Sequence, residues 1–222
     1  MKQSQPSPVI SNAYWPIFRM HAHLLIAWGH KAIKSELRAT RQDDEEKITG
    51  LLAKAIEDIL LLEPTPWCCN YEIFNESPIS IGKRLGKDRR KTDLLVKFVT
   101  RKGRPKYIFE AKPQNYSKRH QRTGYYVGSE GMERFLEGEY ADYTAEYPEV
   151  GMIAYVLSDS VEIWQERLKR SINRRNVPLR LLSQEDVAVI DEFPFEWCSK
   201  HNRSSADTIL SIYHVLLDCT LE

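Results

Sequence analysis

KTDLLVKFVT (91–100) and KYIFEAKP (106–113), joined by the basic segment RKGRP (101–105), read as the two strands of one β-hairpin. Both apolar stretches have strand length and composition, and Gly103 and Pro105 punctuate between them. Side chains alternate faces along a strand, so Glu110 and Lys112 share a face while Ala111 points the other way. A tight turn centred near Lys102 and Gly103 places Asp93 opposite Lys112 and Leu95 opposite Glu110, about 5 Å across the pair. Two carboxylates and an ammonium then converge at one end of an otherwise apolar hairpin.

That combination can hold a divalent metal and activate water. Phosphodiester cleavage needs a hard cation to stabilise charge on the phosphoryl oxygens and to lower the pKa of a bound water. Mg²⁺ takes oxygen ligands, commonly one or two carboxylates with waters and substrate phosphate, and Mn²⁺ is expected to substitute. Asp93 and Glu110 are the expected ligands, and the backbone carbonyl of Ala111 offers a further oxygen. Lys112 is expected to orient or deprotonate the attacking water, or to offset charge in the transition state. Without metal, a lysine beside two carboxylates stays protonated. The competing reading is an edge-strand ion pair of Glu110 with Lys112, with Asp93 solvated at a strand start.

Asp93 and the triad Glu110-Ala111-Lys112, preceded by the apolar strand YIF (107–109), resemble the PD-(D/E)xK, or restriction-endonuclease-like, nuclease superfamily. The pattern departs at Thr92, where the family name has proline. The resemblance implies an α/β fold with a central mixed sheet flanked by helices, its core spanning roughly 41–175. It also implies a Mg²⁺-dependent nuclease acting on DNA, with anti-phage defence as a role such compact nucleases often serve. Some members of the superfamily are catalytically silent binding modules, which keeps a nucleic-acid- or protein-binding module as the alternative.

RQDDEEKITGLLAKAIEDILLLE (41–63) carries Ile48, Leu51, Leu52, Ala55, Ile56 and Ile59 at the spacing of an amphipathic helix. Asp43 and Asp44 suit its N-terminus, where carboxylates meet unpaired amides and the positive end of the dipole. The resembling nucleases often place a further acidic ligand on the helix before the sheet. Glu45, near the inward stripe, is the candidate and Glu46 the alternative; a solvated acidic first turn explains the same residues.

Net charge of +1 conceals an asymmetry, because residues 83–122 hold about fifteen Lys or Arg against three acidic residues. A basic surround about an acidic pocket suits phosphate-backbone binding with metal catalysis, and an ordinary solvated loop is the competing reading. Arg89, Arg90 and Lys91 lead into Asp93, and Lys118, Arg119 and Arg122 follow Lys112 among Tyr116, Tyr125 and Tyr126. Cations interleaved with rings suit a nucleic-acid groove. Gln114 is a candidate for orienting substrate or water. Gln121 with Tyr125 matches the Q-x-x-x-Y pattern of exonuclease-type members of the resembling superfamily.

From Ser129, a candidate cap, Met132, Phe135 and Leu136 have helical spacing, and this helix is expected to face solvent away from substrate. EVGMIAYVLSD (149–159) reads as a buried strand. SVEIWQERLKRSINRR (160–175) reads as a helix with Val161, Ile163, Trp164, Leu168 and Ile172 inward. The order helix, hairpin, helix, strand, helix fits an α/β layer fold.

Residues 1–40 are expected as an N-terminal helical segment packed on a 41–222 domain, in which 176–222 extends the core. His21 and His23, two apart on 14–39, fall on different helix faces and argue against zinc there. In the tail, Ser199, His201 and Arg203 alternate and on a strand would share a face able to grip phosphate, while His214 reads as a hydrogen-bonded core histidine and 207–218 suits strand or helix equally. At 222 residues and 42% hydrophobic content the chain can bury one substantial core. No run reaches the about 18 apolar residues of a membrane span, and a polar start, MKQSQPSP, is expected of a cytoplasmic protein. Cys68, Cys69, Cys198 and Cys219 lack C-x-x-C spacing and are expected as reduced thiols. A homodimer or a larger complex is compatible with this reading.

Overall fold

The computed structural model describes residues 14–78, 91–99, 105–118, 122–137, 148–203 and 208–220. Two helices, α1 (Tyr14–Thr40) and α2 (Glu45–Leu62), precede a 3₁₀ turn (Cys68–Asn70) and the strands β1 (Tyr71–Pro78), β2 (Lys91–Phe98) and β3 (Lys106–Gln114). Then come α3 (Thr123–Val127), α4 (Met132–Leu136), β4 (Glu149–Val156), α5 (Val161–Arg174), β5 (Leu181–Asp186), β6 (Trp197–Asn202) and β7 (Ile209–Asp218). The seven strands form one mixed sheet in the order β1-β2-β3-β4-β7-β6-β5. Antiparallel pairs make both margins, and β3, β4 and β7 run parallel at the centre. No described helix is long and apolar enough to cross a membrane.

The central strands are apolar on both faces because helices cover both. Phe109, Ala111, Ile153, Tyr155, Val215 and Leu217 pack toward α1 and α2, with Phe18, Leu25, Ile48, Leu52 and Ile56. Ile108, Met152, Ala154, Ile212 and Leu216 pack on the other side toward α3, α4 and α5, with Tyr126, Phe135, Trp164 and Leu168. The α2 stripe follows from its sequence, with Ile48, Leu52 and Ile56 fully buried, and Asp44 is its N-cap, accepting from the Lys47 N–H at 3.1 Å. On α5, Ser160 caps and Trp164, Leu168 and Ile172 are buried, but Ile163 is 42% exposed. Ile163 sits one position before Trp164, and the helical turn carries it off the inward stripe. Ser129 is not a cap: α4 begins at Met132 after Gly131.

The β2–β3 register differs from the tight-turn expectation. Leu94 pairs with Phe109, Leu95 with Ile108 and Lys97 with Lys106, so Leu95 does not oppose Glu110 and the ladder ends before Asp93 and Lys112. The displacement is by two residues, which preserves the face of every side chain. Asp93, Glu110 and Lys112 therefore keep their shared side. The turn residues 100–104 lie outside the described part.

The stretch 176–222, expected as an extension of the core, supplies three strands of the sheet, and β7 is inserted between β4 and β6. Ser199 and His201 on β6 are fully buried and Arg203 is buried beside them, so they form no exposed phosphate grip. His201 Nδ1 lies 2.8 Å from the Leu179 carbonyl. A carbonyl can only accept, so Nδ1 carries the proton and Nε2 accepts from the Ser199 hydroxyl at 2.7 Å. Ser199 in turn accepts from His214 Nε2 at 2.7 Å, and His214 Nδ1 lies 2.9 Å from the Tyr126 hydroxyl, which donates to the Met152 carbonyl at 3.4 Å. His201 accepts at Nε2, so its imidazole is neutral in this chain. On α1, His21 stacks on Trp67 with ring centroids 4.0 Å apart, and buried His23 lies 2.8 Å from a Glu196 carboxylate oxygen. The four cysteines are free thiols, of which Cys198 and Cys219 are pushed up by burial to about 11 and about 12.

Gly151 faces Phe109 across the β3–β4 pair. A Cβ there would lie 2.1 Å from the Phe109 ring, so the glycine makes room for the ring. Gly151→Ala is expected to destabilise the fold by about 1–3 kcal/mol, with partial recovery in the Phe109→Leu background. Urea unfolding of the single and double variants measures both.

Burial lowers His201 to about 4 and His214 well below its ordinary value. The unfolded chain then binds the protons that the folded chain refuses. Stability is complete above about pH 6.5 and falls as the pH drops toward 4, by about 3 kcal/mol from His201 alone. Thermal melts across that interval should show the decline, and His201→Gln should shallow it.

Candidate active site

The β3 strand runs out of the sheet's centre through Glu110, Ala111, Lys112, Pro113 and Gln114. Its partner β2 is antiparallel, so the start of β2, with Asp93, lies beside the end of β3. Where the ladder stops, the Asp93 carboxylate takes over: its Oδ2 accepts the Ala111 backbone N–H at 2.7 Å. Lys112 Nζ lies 3.5 Å from the same Oδ2. The N-terminus of α2 brings in Glu45, whose Oε1 accepts from Lys112 Nζ at 2.5 Å. Glu46, the alternative to Glu45, has no such contact and is exposed. Lys112 Nζ also donates to the Ala111 carbonyl at 2.7 Å. The first turn of α2 is tied down further, since the Thr49 hydroxyl bonds the Glu45 carbonyl at 2.7 Å and the Tyr155 hydroxyl on β4 at 2.9 Å.

Lys112 is a buried ammonium. Burial works to lower its pKa, but Asp93, Glu45 and Glu110 outweigh burial and hold it above the ordinary lysine value. Burial raises the Glu45 carboxyl despite the opposing pull of Lys112. Glu110, fully buried, accepts from Arg134 Nη1 of α4 at 2.9 Å, and Arg134 Nη2 reaches Glu130 at 2.7 Å. Arg134 is the component that sequence reasoning missed, because α4 was expected to face solvent away from the site. Its local signal is slight: a basic residue four positions after Glu130 on a helix whose covered sheet position the sequence does not state.

Among the described residues, no group of three His, Cys, Asp or Glu side chains is arranged as a ready metal cage. The donor set itself is all oxygen: the carboxylates of Asp93, Glu110 and Glu45 with the Ala111 carbonyl. Such donors fit a hard divalent cation. A carboxylate as buried as Glu110 requires a positive partner, and the chain's own cations, Arg134 and Lys112, now serve the acidic groups.

The expected nucleic-acid residues are divided. Lys91 pairs with Glu76, and Lys118 with Asp43 before α2. Gln114 is fully buried, its Nε2 donating to the Lys112 carbonyl at 3.4 Å, while its Oε1 is buried with no hydrogen-bond partner. Arg122 donates to the Tyr116 carbonyl at 3.2 Å, and Tyr125 is 45% exposed. Arg89, Arg90, Arg119 and Gln121 lie outside the described residues, as does the rest of the basic segment 79–90.

Comparison of the chain with models of protein families, with curated proteins and with solved structures found no match. The site must therefore be read from its own chemistry.

Arg134→Ala leaves Glu110 buried without its guanidinium and is expected to cost about 3 kcal/mol in EDTA. If the carboxylates accept a divalent cation, Mg²⁺ or Mn²⁺ should raise the melting temperature of this variant more than that of the parent protein. Differential scanning calorimetry with and without each ion reads both effects.

Proposed function

We propose that the protein is a divalent-metal-dependent nuclease of the PD-(D/E)xK type, hydrolysing phosphodiester bonds of DNA. The observation that carries this reading is the meeting of Lys112 with Asp93 and Glu45, three residues from β3, β2 and the start of α2. Ion pairing alone would need one carboxylate for one lysine. Here Asp93, Glu45 and Glu110 face the Lys112 ammonium and the Arg134 guanidinium beside a backbone carbonyl, so the pocket keeps an anionic excess that a cation would offset.

Asp93, Glu110 and the Ala111 carbonyl would hold Mg²⁺ or Mn²⁺, with Glu45 as a further ligand. The bound ion would polarise the phosphoryl oxygens and acidify a water. The chain's own part is positioning and charge. Lys112, kept protonated by its acidic neighbours, places a positive charge where negative charge grows on the phosphoryl group. Glu45 holds that ammonium in place, and the α2 cap at Asp44 and the Thr49–Tyr155 bond hold Glu45. Without the ion these carboxylates keep Lys112 from acting as a base; a bound cation would offset them, and only then could Lys112 take a proton from the water. A restriction-endonuclease-like core belongs to this proposal, and the helix-flanked mixed sheet is compatible with it.

One observation favours a second reading, a catalytically silent module that binds nucleic acid or a partner protein. Arg134 already sits on Glu110, where a metal ligand is wanted. Purified protein incubated with linear and circular duplexes and with single strands, in Mg²⁺, Mn²⁺ or EDTA, separates the two. Metal-dependent cleavage that falls at least about a hundredfold in Asp93→Ala and Lys112→Ala supports hydrolysis at this site. Salt-sensitive binding with no cleavage in any ion would establish the silent module, and cleavage surviving both substitutions would move the chemistry elsewhere.

A further inference from the structure

Beyond the carboxylates, the turn after β3 and the outer face of α5 enclose a groove of about 390 Å³ lined by Tyr116, Arg122, Trp164, Arg167, Arg170 and Arg174. Arg167, Arg170 and Arg174 fall at i, i+3 and i+7, so they form one stripe along the helix. Asp159 pairs with Arg167 at 2.5 Å, and Glu166 lies 3.8 Å from Arg170. Arg122 and Arg174 leave the groove net positive, and no carboxylate lines it among the described residues. The guanidinium of Arg167 lies 5.0 Å from both the Tyr116 and Trp164 ring centroids, and that of Arg122 lies 5.4 Å from Tyr116. Stacking on rings orients the planar guanidinium groups, lowering the entropy lost when their N–H forks bind phosphate.

Tyr116 stays 61% exposed between these cations. An exposed ring beside aligned arginines suits an unpaired base on the ring with its phosphates on the guanidinium groups, because every base has a face that stacks. The Tyr116 backbone N–H donates to Ser158 Oγ at 3.1 Å, which anchors the turn. Tyr116 lies four positions after Lys112, so their Cα atoms are at most about 14 Å apart. We propose that this groove binds a single strand of nucleic acid and delivers it to the Asp93–Lys112 site. The delivery half of this proposal rests on the nuclease reading; the binding half does not.

The test is fluorescence anisotropy of a short labelled single-stranded DNA with the full chain in EDTA, across a salt series, beside a blunt duplex of the same length. EDTA prevents metal-dependent cleavage, so binding is read whether or not the carboxylates hydrolyse anything. The parent protein should prefer the single strand. Arg170→Ala/Arg174→Ala should weaken it about tenfold and reduce the log–log salt slope by about 1.4, as expected for two lost phosphate contacts. Tyr116→Ala should weaken it about tenfold with little change in slope. All three positions are solvent-facing, and circular dichroism confirms that each variant is folded. Equal affinity for duplex and single strand, or unchanged affinity in both variants, overturns the groove and leaves the nuclease reading standing. Normal groove binding with no cleavage in any metal would overturn the nuclease reading instead.

Discussion

The ammonium of Lys112 is the point on which this architecture turns. A charged amine out of contact with bulk water is tolerable only with anions close to it. Its anions come from other elements, Asp93 at the start of β2 and Glu45 at the start of α2. One buried charge therefore sets the position of a helix against a sheet. Asp93 has a second duty. The β2–β3 ladder ends at Leu94–Phe109, and past that point the Asp93 side chain satisfies the Ala111 backbone N–H that the ladder no longer reaches. The same carboxylate finishes the sheet margin and holds the ammonium.

The wider fold places this arrangement at the carboxyl end of a central parallel strand, between the N-terminus of α2 and the short α4. Crevices beyond the carboxyl ends of strands are where open α/β sheets generally gather their chemistry. The two faces divide the labour. The α1–α2 side carries Glu45 on a well-buried helix, and the α3–α5 side contributes Arg134 to the buried Glu110. A rigid core under both faces lets short polar side chains hold their geometry.

Much of this was legible in the chain. The α2 stripe, the apolar strands β2, β3 and β4, the α5 helix and the common side of Asp93, Glu110 and Lys112 follow from residue periods. β1 was not legible, because most of its residues are partly or fully exposed, so no apolar run marks it. The hairpin register was missed because turn residues limit, but do not dictate, how many residues a loop spends. The tail was misjudged because Ser199 and His201, polar by type, are buried in a hydrogen-bond chain whose partners, Tyr126 and Leu179, are distant in sequence. Arg134 escaped for the same reason: a surface-like helix gives no local sign that its arginine reaches a buried carboxylate.

The sequence by itself determined the layered α/β class, the faces of the central strands and the acidic and basic residue types that meet at the end of β3. Those properties depend on periods of two and 3.6 residues and on composition, all local. Only the tertiary structure decided that Glu45 reaches Lys112, that Arg134 rather than solvent covers Glu110, and that β7 enters the sheet beside β4. Each of these is a contact between segments far apart in the chain, settled by where buried charges find opposite charges and where apolar strands find cover.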